Sequence, residues 1–195
     1  PLLALAAAFS FVIMMFNVPI PGGSTGHAVG AAIVGIVLGP WAGVIAISVA
    51  LVLQALMFGD GGITAIAANC FNMAVVMPFV GYYVYKILSG STDITSSRRV
   101  IAAALAGYIS LAIAAGITGF MFGIQPLLHR TAEGVPIYMP YSLNITVPAM
   151  LLEHLLGFAI LEAIVTALIF AYIQKTDSTL LYGERSAQKM RMRKS

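Results

Sequence analysis

From Leu2 to Gln174 the chain is a succession of apolar runs separated by glycine, proline and short polar turns. A membrane helix needs about 20 such residues to cross a hydrocarbon core. By that measure the runs at 2–18, 27–39, 41–58, 63–88, 98–124 and 146–174 predict an all-α polytopic membrane bundle of about six transmembrane helices. Composition excludes the soluble alternative. Only 9% of the residues are charged, against roughly 25% in soluble domains, and the mean hydropathy is +0.97. So few charges cannot clothe a water-facing surface, and the outside must meet lipid.

The net charge of +3 does not point to nucleic acid, because the positive residues sit where membrane loops carry them. Lys175, Arg185, Lys189, Arg191, Arg193 and Lys194 crowd the C-terminus, and Lys86, Arg98 and Arg99 flank one short loop. That bias marks cytoplasmic segments. The chain therefore divides into a bundle over 1–174 and a basic cytoplasmic tail over 175–195. The tail either lies against anionic lipid headgroups or docks a partner. Helix alternation then places the His27 turn, the Asp60 turn and the 125–145 loop outside, with Gly39-Pro40 inside. Pro1 falls on the cytoplasmic side, which calls for one further upstream helix; the first residue is also not a methionine.

The breaks have identifiable causes. Pro40 cannot continue a helix and pushes its predecessor out of helical space, while Trp41 suits the lipid–water interface. Gly59-Asp60-Gly61-Gly62 forms a tight turn in which Asp60 is expected to cap the helix starting near 63. The run 27–39 is short for a crossing, so it is expected to begin below the surface, with Pro19–Gly26 dipping inward. Irregular backbone at that depth must be covered by protein or line a cavity.

The glycine-rich turn Pro21-Gly22-Gly23-Ser24-Thr25-Gly26-His27 is thus the place to look for chemistry. Glycine permits close backbone approach to a bound group, and neutral imidazole is a common ligand for nickel, cobalt, zinc or copper. His27 either serves as such a ligand or simply hydrogen-bonds a nearby carbonyl. The turn also suits anion capture at a helix N-terminus, although no Lys or Arg stands near. An intramembrane serine protease would use Ser24 as nucleophile and His27 or His154 as base, but a base on the nucleophile's own turn is poorly aimed.

Asn69 and Asn72, three residues apart, share a helix face, and Gln54 adds a third amide. Buried amides either bond neighbouring helices or brace a histidine ligand from behind. Glu153, His154 and Glu162 lie within the last apolar run, where ionisable groups cost energy and suggest function. On a regular helix His154 and Glu162 stand about 80° apart and Glu153 and Glu162 on opposite sides, so the three cannot form one three-residue site. Glu162 is the deeper and needs a partner or a proton. Met14, Met15, Met73 and Met77 are expected to pack rather than bind copper, and Cys70, the lone cysteine, to pack as well.

The glycine-rich turn with Gly39-Pro40-Trp41, then Phe58-Gly59-Asp60-Gly61-Gly62-Ile63-Thr64-Ala65 leading into Ala68-Asn69-Cys70-Phe71-Asn72-Met73, resembles the CbiM/NikM family across nearly the whole chain. So does the last helix, with Leu156-Gly157, Glu162-Ala163 and Thr166-Ala167. The resemblance implies the substrate-binding component of an energy-coupling-factor transporter importing Ni²⁺ or Co²⁺ into a bacterial or archaeal cell. It implies seven membrane helices, an outward metal site, no organic cofactor, a membrane coupling subunit, separate ATPase subunits and a small accessory membrane subunit. The family's site joins the amine and histidine of a Met-His start to a histidine matching His27; that start does not appear here. Nitrogen donors of this kind suit nickel(II) or cobalt(II), and they must shed protons to bind, so affinity should fall as pH drops. A related component carrying an organic vitamin is the alternative within transport. No Gly-x-x-x-x-Gly-Lys motif occurs, so the chain is not itself expected to be an ATPase; the resemblance implies a transporter subunit rather than an enzyme.

Overall fold

A computed structural model describes residues 1–20 and 24–181. Its six helices are α1 (Leu2–Met14), α2 (Ala31–Leu38), α3 (Pro40–Phe58), α4 (Ile63–Ser89), α5 (Ser97–Leu128) and α6 (Leu143–Thr176). The last four are long and apolar enough to cross a membrane; α1, with 13 residues, is shorter. The all-helical expectation holds apart from one small feature: β1 (Val18–Ile20) and β2 (Ser24–Gly26) pair antiparallel, Val18 opposite Gly26. The basic tail residues Arg185, Lys189, Arg191, Arg193 and Lys194, and Pro21, Gly22 and Gly23, lie outside the described residues.

Two boundaries moved for the same reason. The run read as a helix from 2 to 18 stops at Met14, and the one read from 27 to 39 forms helix only from Ala31. The backbone between them is spent on the β1–β2 hairpin and a buried linker, Ala28-Val29-Gly30. Helix α2 is a half-length element inside the bundle, with six of its eight residues buried. The non-helical backbone at Ala28–Gly30 therefore sits where protein covers it, as the bilayer requires. At the other end of α2, Gly39 adopts φ +88° and Pro40 opens α3 at its first turn, where a missing N–H costs nothing.

Small residues set the packing. Along α5, Ala102, Ala103, Ala106, Gly107, Ser110, Leu111, Ala114 and Ala115 form one buried face, which lets neighbouring backbones approach closely. A methyl group on Gly123 would stand 2.6 Å from the Leu143 Cα. The polar groups inside find local partners: Thr146 donates to the Gly119 carbonyl at 2.7 Å, and buried Gln54 donates to the Phe11 carbonyl at 3.1 Å. Met14 and Met77 are fully buried in the core, and Cys70 is packed against it. At one end of the bundle, Arg99 donates to Thr92 O and to the Tyr85 hydroxyl, tying down the 90–96 loop.

Candidate functional site

At the opposite end, the hairpin, the Gly59–Gly62 turn, the 129–142 connection and the upper parts of α4, α5 and α6 enclose a cavity of about 640 Å³. His27, Asp60, Asn69, Asn72, Thr118 and His154 all border it. Most of the polar residues singled out from sequence thus meet at one place, although they come from five separate segments.

The two imidazoles are prepared alike. His27 Nδ1 lies 3.1 Å from the Ala28 carbonyl, and His154 Nδ1 lies 2.8 Å from the Met150 carbonyl. A carbonyl can only accept, so each Nδ1 carries the proton and each Nε2 keeps its lone pair. A backbone carbonyl behind a histidine is the usual arrangement for fixing the tautomer of a ligand. Burial pushes the His27 pKa below its ordinary value, despite the opposing influence of the Ala28 carbonyl and of the Asp60 charge. The ring is therefore held in its neutral, ligating form. Among the described residues no three His, Cys, Asp or Glu side chains cluster closely enough to cage an ion. What these residues offer is imidazole nitrogen facing a cavity.

The asparagines do not touch His27. Asn69 Nδ2 donates to the Gly61 carbonyl at 3.0 Å, and Asn72 Nδ2 donates to Thr118 Oγ1 at 3.1 Å and Met121 Sδ at 3.4 Å. Asn72 Oδ1 is buried without a partner on the cavity side of α4. Asp60 does not cap α4, whose N-cap residue is Gly62 with no side-chain cap; instead its Oδ2 accepts from Asn17 Nδ2 at 3.5 Å. With φ +71° at both Gly59 and Gly61, the turn swings the carboxylate away from the helix and over the cavity. Ser24 also borders the cavity, but the hydrogen bonds of both imidazoles go to carbonyls, not to its hydroxyl.

The expected 80° between His154 and Glu162 holds only for a regular helix, and this helix is not regular. Within α6, residues His154–Phe158 form a π-turn, in which bonding from i to i+5 accommodates one extra residue. An extra residue rotates everything beyond it back by roughly 100°, so the 80° separation shrinks to about 20°. His154, Phe158 and Glu162 consequently look the same way. The His154 and Phe158 rings pack at 5.4 Å between centroids. The Phe158 ring fills the space beside Gly26, and Glu162 reaches the backbone at Val29 and Gly30. Glu153 stays off the cavity, half-buried, with Oε2 unpaired. A second π-turn, Cys70–Val76, carries Asn72.

A family model described as the cobalt uptake substrate-specific transmembrane region, CbiM, matches residues 1–180. The fused nickel transport protein NikMN of Rhodobacter capsulatus is 54% identical over 186 residues, which cover 95% of this chain and 54% of the relative. The chain thus spans about half the length of that fused protein. A crystal structure of a transition metal transporter superposes with a TM-score of 0.86 at 45% identity, covering 100% of this chain and 82% of the other. A truncated transition metal transporter superposes with a TM-score of 0.83 at 48% identity, covering 90% and 80%.

Proposed function

The chain belongs to the CbiM family of cobalt uptake substrate-specific transmembrane regions, and from that premise we propose that it captures Ni²⁺ or Co²⁺ at the outer face of a cell membrane for import. The observation that carries this reading is the pair of imidazoles, His27 and His154, each with Nδ1 on a carbonyl and Nε2 unprotonated, bordering one cavity at one end of an apolar bundle.

His27 is the ligand contributed by these residues, with an amine, a deprotonated amide and a further imidazole completing a nitrogen-rich set as the family resemblance implies. Such donors favour nickel(II) and cobalt(II) over hard cations. Asn69 and Asn72 shape the cavity wall through Gly61 and Thr118, at one remove from the ion. Movement inward is driven by ATPase subunits acting through a membrane coupling subunit, with a small accessory membrane subunit alongside. The basic C-terminus faces the cytoplasm.

Against a vitamin carrier stands the lining itself. Beside Phe122 and Tyr138 the wall carries the His27 and His154 imidazoles, the Asp60 carboxylate and the Gln54, Asn69 and Asn72 amides, donors that serve a metal ion better than the mostly apolar and aromatic lining an organic ring prefers. The test is titration calorimetry of Ni²⁺ and Co²⁺ on the natural full-length protein. His27→Ala should weaken binding at least about a hundredfold, the scale of losing one imidazole donor; undiminished binding would sink the assignment.

A further inference from the structure

Glu162 is fully buried within an apolar helix, a placement that demands an explanation. Its partners are backbone amides: Oε2 accepts from Val29 N at 2.7 Å and from Gly30 N at 2.9 Å, across more than 130 residues of sequence. Those amides open α2, where the first N–H groups of a helix have no partner within it. Its other oxygen, Oε1, is buried with no partner. An apolar side chain would often serve the stability of a buried site as well or better, so the carboxylate is explained by what Oε2 holds.

What it holds is the segment carrying His27. Gly30 turns at φ +71°, with the Phe9 ring occupying the space a side chain would need. Phe158 fills the space beside Gly26 in the same way. Residues 26–30 are thereby gripped at both ends, and His27 bonds within the grip to the Ala28 carbonyl. The π-turn aligns Phe158 and Glu162 on the gripping face.

We propose that Glu162 is a positioning residue for metal capture: its carboxylate fixes the backbone at Val29 and Gly30 and so aims the His27 imidazole at the cavity. The proposal rests on the reading of His27 as a metal ligand.

The experiment compares Glu162→Gln, Glu162→Leu, Glu153→Gln and His27→Ala in the natural full-length protein. Ni²⁺ titration is read alongside amide hydrogen exchange over residues 24–31 and over α3. Glu162→Gln exchanges a two-oxygen acceptor for an amide with a single acceptor oxygen, and should weaken Ni²⁺ binding about tenfold. Glu162→Leu should weaken it further, and Glu153→Gln should leave it unchanged. Exchange should quicken at 28–30 and stay as it was in α3. Native affinity in both Glu162 variants, with binding lost in His27→Ala, overturns the positioning role and leaves the metal site standing. Native affinity in His27→Ala overturns the reading beneath it. Exchange quickened equally throughout the bundle overturns the proposal in favour of a purely structural carboxylate. Should Glu162→Leu fail to fold, the unaltered protein still decides: Val29 and Gly30 amides exchanging as fast as the exposed 131–134 turn would refute the clamp.

Discussion

The Tyr108 hydroxyl donates to the Leu155 carbonyl at 3.1 Å, joining α5 to the π-turn of α6. A π-turn leaves carbonyls poorly served by the helix's own ladder, and Tyr108 takes up one of them. Tyr108→Phe strands that carbonyl in an apolar setting, with an expected loss of about 1 kcal/mol. Thermal unfolding in detergent should show a fall of roughly 2–4 °C.

The α5–α6 contact is set by glycine. An added methyl at Gly123 meets Leu143 backbone, which cannot swing aside as a side chain can. Gly123→Ala should destabilise the protein by about 1–3 kcal/mol, the usual cost of overpacking. At Gly157 nothing stands within 4 Å of the added carbon. Gly157→Ala should therefore be neutral or slightly stabilising, and the pair of melting temperatures checks the contrast.

Metal affinity should depend on pH with a definite sign. Bound imidazole must be neutral, and burial holds the His27 pKa below its ordinary 6.5. Proton competition at His27 is therefore absent above about pH 6.5 and begins only below its lowered pKa, then weakens binding by up to about tenfold per pH unit. The same shift favours folding at neutral pH, since the unfolded imidazole takes up its proton first as pH falls. Calorimetric Ni²⁺ titrations between pH 5 and 8, on the order of the histidine range, would reveal the onset.

Ser24 borders the cavity but engages neither imidazole through a hydrogen bond. Ser24→Ala should leave Ni²⁺ affinity within about twofold, because a hydroxyl outside the ligand set contributes little. Loss of a peptidase activity in that variant would instead favour the protease reading.

Trp41, the single tryptophan, is 72% exposed and meets the Phe79 ring edge-on at 5.0 Å. A tryptophan at the start of a spanning helix belongs at the headgroup level. Its fluorescence should be quenched more by lipids labelled near the headgroup than by lipids labelled at mid-chain.

The apolar runs and the Gly39-Pro40 break were legible because chain composition and proline chemistry act locally. His27 was legible because its turn is rich in glycine. What escaped was whatever depended on helix register. Nothing in His154-Leu155-Leu156-Gly157-Phe158 announces a π-turn, which is settled by tertiary partners such as Tyr108. A regular helix therefore seemed to separate His154 from Glu162. The fate of Asp60 escaped for a related reason, since a carboxylate before a helix caps it only if the turn between leaves it in reach. Two left-handed glycines carry this one over the cavity. The partner of Glu162 is a pair of backbone amides, which leave no mark on composition at all.

The π-turn also limits how the last helix can tolerate changes in length. Deleting one residue from 155–157 would restore a regular helix and turn Glu162 roughly 100° away from Val29 and Gly30, with His154, Phe158 and Glu162 themselves unaltered. Inserting one would swing it about as far the other way. Along α6 the residue count is thus as binding as residue identity, whereas the exposed 131–134 turn can gain or lose a residue with no helix face to misalign.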